Sequence, residues 1–210
     1  LPIPLHPRSK KPKGFGPKQS AKGWQNLRVE SETIDQYFEM GDNIGGLWGA
    51  PSGWIVDIDL DTDEAVAAAD TLLPPTFMYG RRLRPATHYL YRCEGIQTTK
   101  RVQGVENMIV EIRSTGAQSV LPPSIHDKDG DRYEINHDVP FKTISRRELE
   151  RRVNLVAAAA MAAHYYPESG SRHDYVHTLT GSLLWEGWSE QRVREFMTAV
   201  LDAADPKEDD

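Results

Sequence analysis

Cysteine is nearly absent from this sequence of 210 residues: Cys93 stands alone. One cysteine excludes an internal disulfide framework and any cysteine-rich metal site, and it suits a reducing, cytoplasmic setting. No apolar run approaches the ~20 residues needed to span a bilayer, so no membrane partner is expected. No secretory leader is visible. Because the chain begins at Leu1 rather than Met, it reads as a piece of a longer protein, and that absence excludes little. Repeats and low-complexity tracts are missing too. No serine or cysteine stands in a setting that would make it a nucleophile. Net charge is −6, mildly unfavourable for nucleic-acid binding as a bulk property.

The charge is unevenly distributed. Residues 1–29 carry Arg8, Lys10, Lys11, Lys13, Lys18, Lys22 and Arg28 and no acid. Arg81, Arg82, Arg84 and Arg92 make a second basic group, and Asp205–Asp210 an acidic tail. A locally basic surface on an acidic chain suits a polyanion held in a groove; a solvated lysine-rich N-terminus accounts for the first group equally well.

Residues 1–25, rich in Pro, Gly and Lys, read as irregular. SETIDQYFEM (31–40) has helical spacing, with Ser31 or Thr33 as N-cap. NIGGLWGAPSGWIVDIDL reads as two strands joined by a turn at Ala50–Gly53. A helix is expected over 62–73, ended by Pro74–Pro75. Strands are expected at THYLYRC (87–93), NMIVEIR (107–113), AQSVL (117–121) and RYEI (132–135). After residue 144 the pattern turns helical. Ser145 and Glu148 have capping-box spacing, Ser171 and Asp174 repeat it, Gly187 ends the second helix and Ser189 can cap a third. The expected architecture is α+β: a domain over 1–144, then a small α-helical bundle over 145–210.

WIVDIDLDTDEA places acids at 57, 59, 61 and 63. Strand alternation puts Val56, Ile58 and Leu60 on one face, and Ile55, Asp57 and Asp59 on the other. Asp61 and Asp63 suit the start of the following helix. Paired carboxylates destabilise an apolar strand unless a cation neutralises them, and hard oxygens suit Mg²⁺ or Mn²⁺. An exposed sheet face with solvated acids explains the pattern as well. In NMIVEIR, Ile109, Glu111 and Arg113 share a face. By itself Glu111 reads as an ion-paired strand residue; beside Asp57 and Asp59 it completes a three-carboxylate set able to hold two cations for phosphoryl transfer. Between them, GRRLRPATHYLYR sets His88 after a basic loop, where histidine and arginine can grip phosphate oxygens. Arg82, Thr87, Arg113, Gln118, Ser124 and His126 are candidates for lining a nucleotide pocket.

Taken in order, these pieces resemble the bifunctional primase–polymerase domains of the archaeo-eukaryotic primase superfamily, found in replication proteins of phages and plasmids. IVDID matches that family's first motif, RPATHYLY the histidine motif, and MIVEIR the third acid motif. PPSIH followed by RYEI matches the segment after them, and the KKP and GW of the N-terminus its opening signature. The match covers roughly residues 1–140. The chain departs from the family in the loop before the histidine: RRLRPAT replaces a glycine-rich loop, and Ala86 stands where a small hydroxyl residue is expected. The resemblance implies a catalytic core related to the RNA-recognition-motif fold. It implies that Asp57, Asp59 and Glu111 hold two Mg²⁺ or Mn²⁺ ions and that His88 binds the triphosphate. Single-stranded DNA template, primer and NTP or dNTP are the implied partners, with a helicase domain in the same polypeptide. Lys10, Lys11, Lys13 and Arg172 are nucleic-acid contacts under this reading. Two rival readings use the same residues: a metal-dependent nuclease or phosphohydrolase, and a non-catalytic nucleic-acid-binding module. A purely structural partner of a helicase leaves the acids unexplained.

Overall fold

The computed structural model describes residues 1–14, 22–96, 100–103 (backbone) and 108–204. Lys18, Asn107 and Asp205–Asp210 lie outside the described residues. The fold is α+β, with antiparallel pairing in both sheets and, among the described residues, four α-helices. The strands are β1 (Pro2–Leu5), β2 (Asn43–Leu47), β3 (Ile55–Leu60), β4 (Phe77–Arg81) and β5 (Arg84–Arg92), then β6 (Lys100–Gln103), β7 (Met108–Arg113), β8 (Gln118–Leu121), β9 (Tyr133–His137) and β10 (Lys142–Thr143). The helices are α1 (Asp63–Leu72), α2 (Arg146–His164), α3 (Arg172–Trp185) and α4 (Glu190–Ala204). No helix of the described residues is long and apolar enough to cross a membrane.

One sheet has the order β1-β2-β8, the other β6-β7-β3-β5-β4-β9 with β10 beside β5. The N-terminus therefore departs from the irregular segment expected. Ile3 and Leu5 are buried, and β1 pairs antiparallel with β2. Pro2 and Pro4 lack a backbone N–H, which is tolerated because β1 is an edge strand. β4 also had no expected counterpart: FMYGR offers no clean apolar/polar alternation, yet it pairs on both sides, with β5 and β9.

Residues 31–36 form a 3₁₀ helix whose N-cap is Glu30 rather than Ser31 or Thr33, and no side chain caps it. For α1 the capping oxygen belongs to Thr62, which accepts from the Ala65 N–H; Asp63 lies in the first turn, where the helix dipole favours an acid. Ser171 does stand at the N-cap of α3, but its hydroxyl makes no capping hydrogen bond. Ser189 accepts from the Arg192 N–H at the start of α4, as expected.

The chain forms two compact units. The first comprises residues 1–59, 76–100 and 112–146; the second comprises 60–75, 101–111 and 147–210. Within the first, Ile3, Leu5, Leu47, Trp48, Tyr79, Leu90, Val120 and Tyr133 form one buried apolar cluster. Full burial of such side chains contributes roughly 1.5–3 kcal/mol each. Within the second, α1 packs on α4, and Arg152 ties α2 to both. Its guanidinium donates to the Leu72 carbonyl at 2.8 Å and meets Glu195 at 2.9 Å. Also in this unit, the Asp61 N–H donates to the Ile109 carbonyl at 2.9 Å.

Candidate active site

The register of three neighbouring strands builds the site. β3 runs antiparallel to β5 with Asp59 opposite His88, and β5 runs antiparallel to β4 with His88 opposite Tyr79. Asp59, His88 and Tyr79 thus form one row across the sheet, and Asp57 is the diagonal neighbour of His88. Both faces of β3 are covered. Asp57 is 0% exposed and Asp59 7%, which removes the reading of solvated surface acids.

A closed set of polar contacts holds the two carboxylates. His88 Nδ1 lies 3.1 and 3.2 Å from the Asp57 oxygens and 3.4 Å from Asp59 Oδ1. The Arg113 guanidinium pairs with Asp59 Oδ2 and donates to Ser119 Oγ at 3.0 Å. Ser119 donates in turn to Asp57 Oδ2. Trp48 Nε1 donates to the same Ser119 oxygen at 2.9 Å. Tyr79 lies flat on His88, with ring centroids 4.4 Å apart and planes 5° from parallel. Its ring also approaches Tyr133, which touches His126 edge-on at 6.2 Å.

Burial alone raises an aspartate carboxyl. Here the His88 charge and hydrogen bonds, then Arg113 and Ser119, outweigh it and hold Asp57 below its ordinary 3.8. Burial pulls the His88 imidazole down, and the charges of Asp57 and Asp59 push it back above its ordinary 6.5. His88 therefore contributes stability fully below pH 6.5, and that contribution is lost as pH rises through the higher folded value. Asp57 contributes fully above 3.8, and its contribution is lost as pH falls through the lower folded value. Urea midpoints should be highest between these limits and fall as pH rises above 6.5 through the raised folded value of His88. His88→Gln should flatten the alkaline fall; an unchanged fall in that variant would assign it elsewhere.

Tyr79 is fully buried, and its hydroxyl has no hydrogen-bond partner among the described residues. Burial, then the charges of Asp57 and Asp59, keep this phenol far above its ordinary 10 and hence neutral. Tyr79→Phe retains the ring stack and removes an unpaired buried group. It should raise unfolding stability by about 1 kcal/mol, as read by urea denaturation.

The remaining expected residues fall in several places. Glu111 is buried, 6% exposed, on β7. Thr87 is buried next to His88 in β5. Ser124 is occupied structurally: its hydroxyl accepts from the Ile44 N–H at 2.8 Å. Gln118 donates to the Lys10 carbonyl at 3.0 Å. His126 lies in a separate cluster, with Nδ1 2.7 Å from Asp129 and 3.2 Å from Arg81. Arg81 pairs with Asp129 at 2.6 Å, and Arg82 reaches Asp131 at 3.7 Å. Asp129 falls to about 2, chiefly through the Asp131 N–H and then His126. Lys10 and Lys11 are exposed, whereas Lys13 meets Glu39 and Asp42 at 2.8 and 2.9 Å. The basic groups are thus partly matched by local acids. In the second unit, Arg172 donates to the Pro167 carbonyl and lies over the Tyr166 ring.

Trp48, Tyr79 and Ser119 were not singled out in the sequence. The one available signal for Ser119 was a small hydroxyl residue inside a short strand, between Gln118 and Val120.

Among the described residues, no group of three or more His, Cys, Asp or Glu side chains is arranged to hold a metal ion. The donor chemistry of Asp57 and Asp59 nonetheless fits a hard divalent cation. They are buried oxygen ligands whose charge requires a counter-ion, a part taken here by His88 and Arg113.

Among known families, the one described as bifunctional DNA primase/polymerase, N-terminal, matches residues 2–150. A search of curated proteins gave no match.

Proposed function

Because the chain belongs to the bifunctional DNA primase/polymerase N-terminal family, we propose that it carries out template-directed nucleotidyl transfer. On this reading it both starts and extends DNA chains during phage or plasmid replication, in a cytoplasmic setting. The observation that carries the reading is the buried Asp57–Asp59 pair bridged by His88, within the matched residues. A catalytic core related to the RNA-recognition-motif fold, with residues 1–144 as the catalytic domain and 145–210 as a helical appendage, belongs to the same proposal.

Asp57, Asp59 and Glu111 would hold two Mg²⁺ or Mn²⁺ ions, which supply activation of a 3′-hydroxyl and neutralisation of the triphosphate when bound. The chain's own residues do the rest. His88 turns Nδ1 to the acids, whose charges favour the doubly protonated ring; in that form Nε2 also carries a hydrogen and can donate to a phosphate oxygen. Arg113 brings a planar set of donors to the same end of the site, and a guanidinium matches phosphate oxygens in pairs. Arg82, exposed on the β4–β5 turn, along with Thr87, Gln118, Ser124 and His126, lines or braces the nucleotide pocket in this reading. Lys10 and Lys11, both exposed, contact the single-stranded template in a salt-dependent way, with Arg172 as a further contact. A helicase domain in the same polypeptide is part of the proposal.

The test is extension of a labelled primer on a single-stranded template with Mg²⁺ or Mn²⁺ and either dNTP or NTP, alongside an unprimed template. Longer products, and new short products on the unprimed template, are expected. Shortening of the primer without extension would favour a nuclease.

A further inference from the structure

Ser119 has no role in the reaction as described so far, yet its hydroxyl is fully engaged beside the acids. Its hydroxyl is buried and meets three partners: Trp48 Nε1, Arg113 Nη1 and Asp57 Oδ2. An indole N–H and a guanidinium can only donate. A hydroxyl offers two lone pairs and one hydrogen. Trp48 and Arg113 take both lone pairs, so the single hydrogen must go to Asp57. Rotation of the hydroxyl would leave donors unpaired in a buried place, where each unmade bond is costly. The direction of this contact is therefore set by its partners.

The same serine closes a ring. Arg113 holds Asp59 as well as Ser119, and His88 reaches both acids. The route runs Asp57, Ser119, Arg113, Asp59, His88 and back to Asp57. The indole that anchors it needs space, and Gly46, opposite Ser119 in the β2–β8 register, provides it. A Cβ at Gly46 would stand 3.0 Å from Cη2 and Cζ2 of the Trp48 ring.

We propose that Ser119, anchored by Trp48, is a positioning residue for the acid pair, holding Asp57 by one oxygen and coupling it through Arg113 to Asp59. The inference rests on the reading of Asp57 and Asp59 as cation ligands. Partners that orient a ligating carboxylate typically change metal affinity 10–100-fold when removed.

The test uses the full chain without nucleotide. Mn²⁺ binding is followed by the electron-spin-resonance signal of free Mn²⁺, with urea midpoints in parallel, for Ser119→Ala, Ser119→Thr and Trp48→Phe. Ser119→Ala should weaken Mn²⁺ binding about ten-fold or more. It should raise the Mn²⁺ needed for half-maximal extension by a similar factor, with the nucleotide KM within about two-fold. Ser119→Thr keeps the hydroxyl and should restore binding. Trp48→Phe keeps the ring, loses the N–H, and should move binding the same way by a smaller factor. Wild-type affinity in Ser119→Ala overturns the proposal. So does a Ser119→Thr protein as weak as Ser119→Ala, since volume and not the hydroxyl would then matter. Hydroxyl-dependent Mn²⁺ binding in a chain that extends no primer would sink the polymerase reading and keep this one. Absence of Mn²⁺ binding by the unaltered chain would overturn both.

Discussion

Asp57→Asn is expected to lower primer extension by about 10³-fold or more, because a group that acts as part of a unit takes most of the activity with it when removed. The substitution keeps the shape of the side chain and deletes its charge. Asp57 is fully buried; Ser119 donates to its Oδ2 and His88 Nδ1 lies against both oxygens, so whichever oxygen is replaced, the amide NH₂ faces the His88 donor. His88 also loses the partner that stabilises its second proton. Removing one member of a buried charged pair costs about 3–5 kcal/mol. The variant must therefore be shown by circular dichroism and urea titration to be folded under assay conditions. If Asp57→Asn proves too unstable, Asp59→Asn removes the neighbouring charge and should show the same loss of activity. A folded variant of either kind that extends primers at the wild-type rate would remove the acid pair from the mechanism.

A second large effect is expected on stability. Gly49 has φ 75° and ψ −142°, a region of backbone space that only glycine enters freely. It is also the point where the chain leaves β2 and turns toward β3. Its N–H donates to the Ile55 carbonyl at 2.7 Å, and its carbonyl accepts from Trp54 and Ser52. A Cβ added there would lie 2.8 Å from the Thr115 Cα, so backbone rather than a pliable side chain would have to yield. Backbone strain of this kind costs about 1–3 kcal/mol, and overpacking typically costs a similar amount again. Gly49→Ala should therefore destabilise the protein by about 3 kcal/mol or more in urea titration. A midpoint near the wild-type value, as for most surface substitutions, would show that this close approach does not exist in solution.

The parts of the fold that could be read in advance are those written in local periodicity. The alternation of IVDID located β3, and NMIVEIR located β7. The alanine-rich run after Thr62 located α1, and Gly187 with Ser189 located the break between α3 and α4. Elements whose stability comes from a partner were not legible. β1 exists because β2 pairs with it, and β4 because β5 and β9 flank it. The site divides in the same way. Asp57, Asp59 and His88 announce themselves as polar residues inside apolar strands. Trp48, Ser119 and Tyr79 look ordinary until register and sheet packing bring them to the acids, because each acts across a strand or sheet boundary. Lys13 shows the converse: a lysine in a basic run looked available to a phosphate backbone and instead meets Glu39 and Asp42.

The ring of five side chains has a consequence for how the protein comes into being. With a second proton on His88, two carboxylates, one guanidinium and one imidazolium sum to local electroneutrality. Small zinc-dependent domains stay unfolded until their ligands meet the ion. Here Asp57 and Asp59 are balanced from within by His88 and Arg113, so their burial does not require a cation. On the proposed reading of the pair as cation ligands, loading would exchange one counter-charge for another on a scaffold already built.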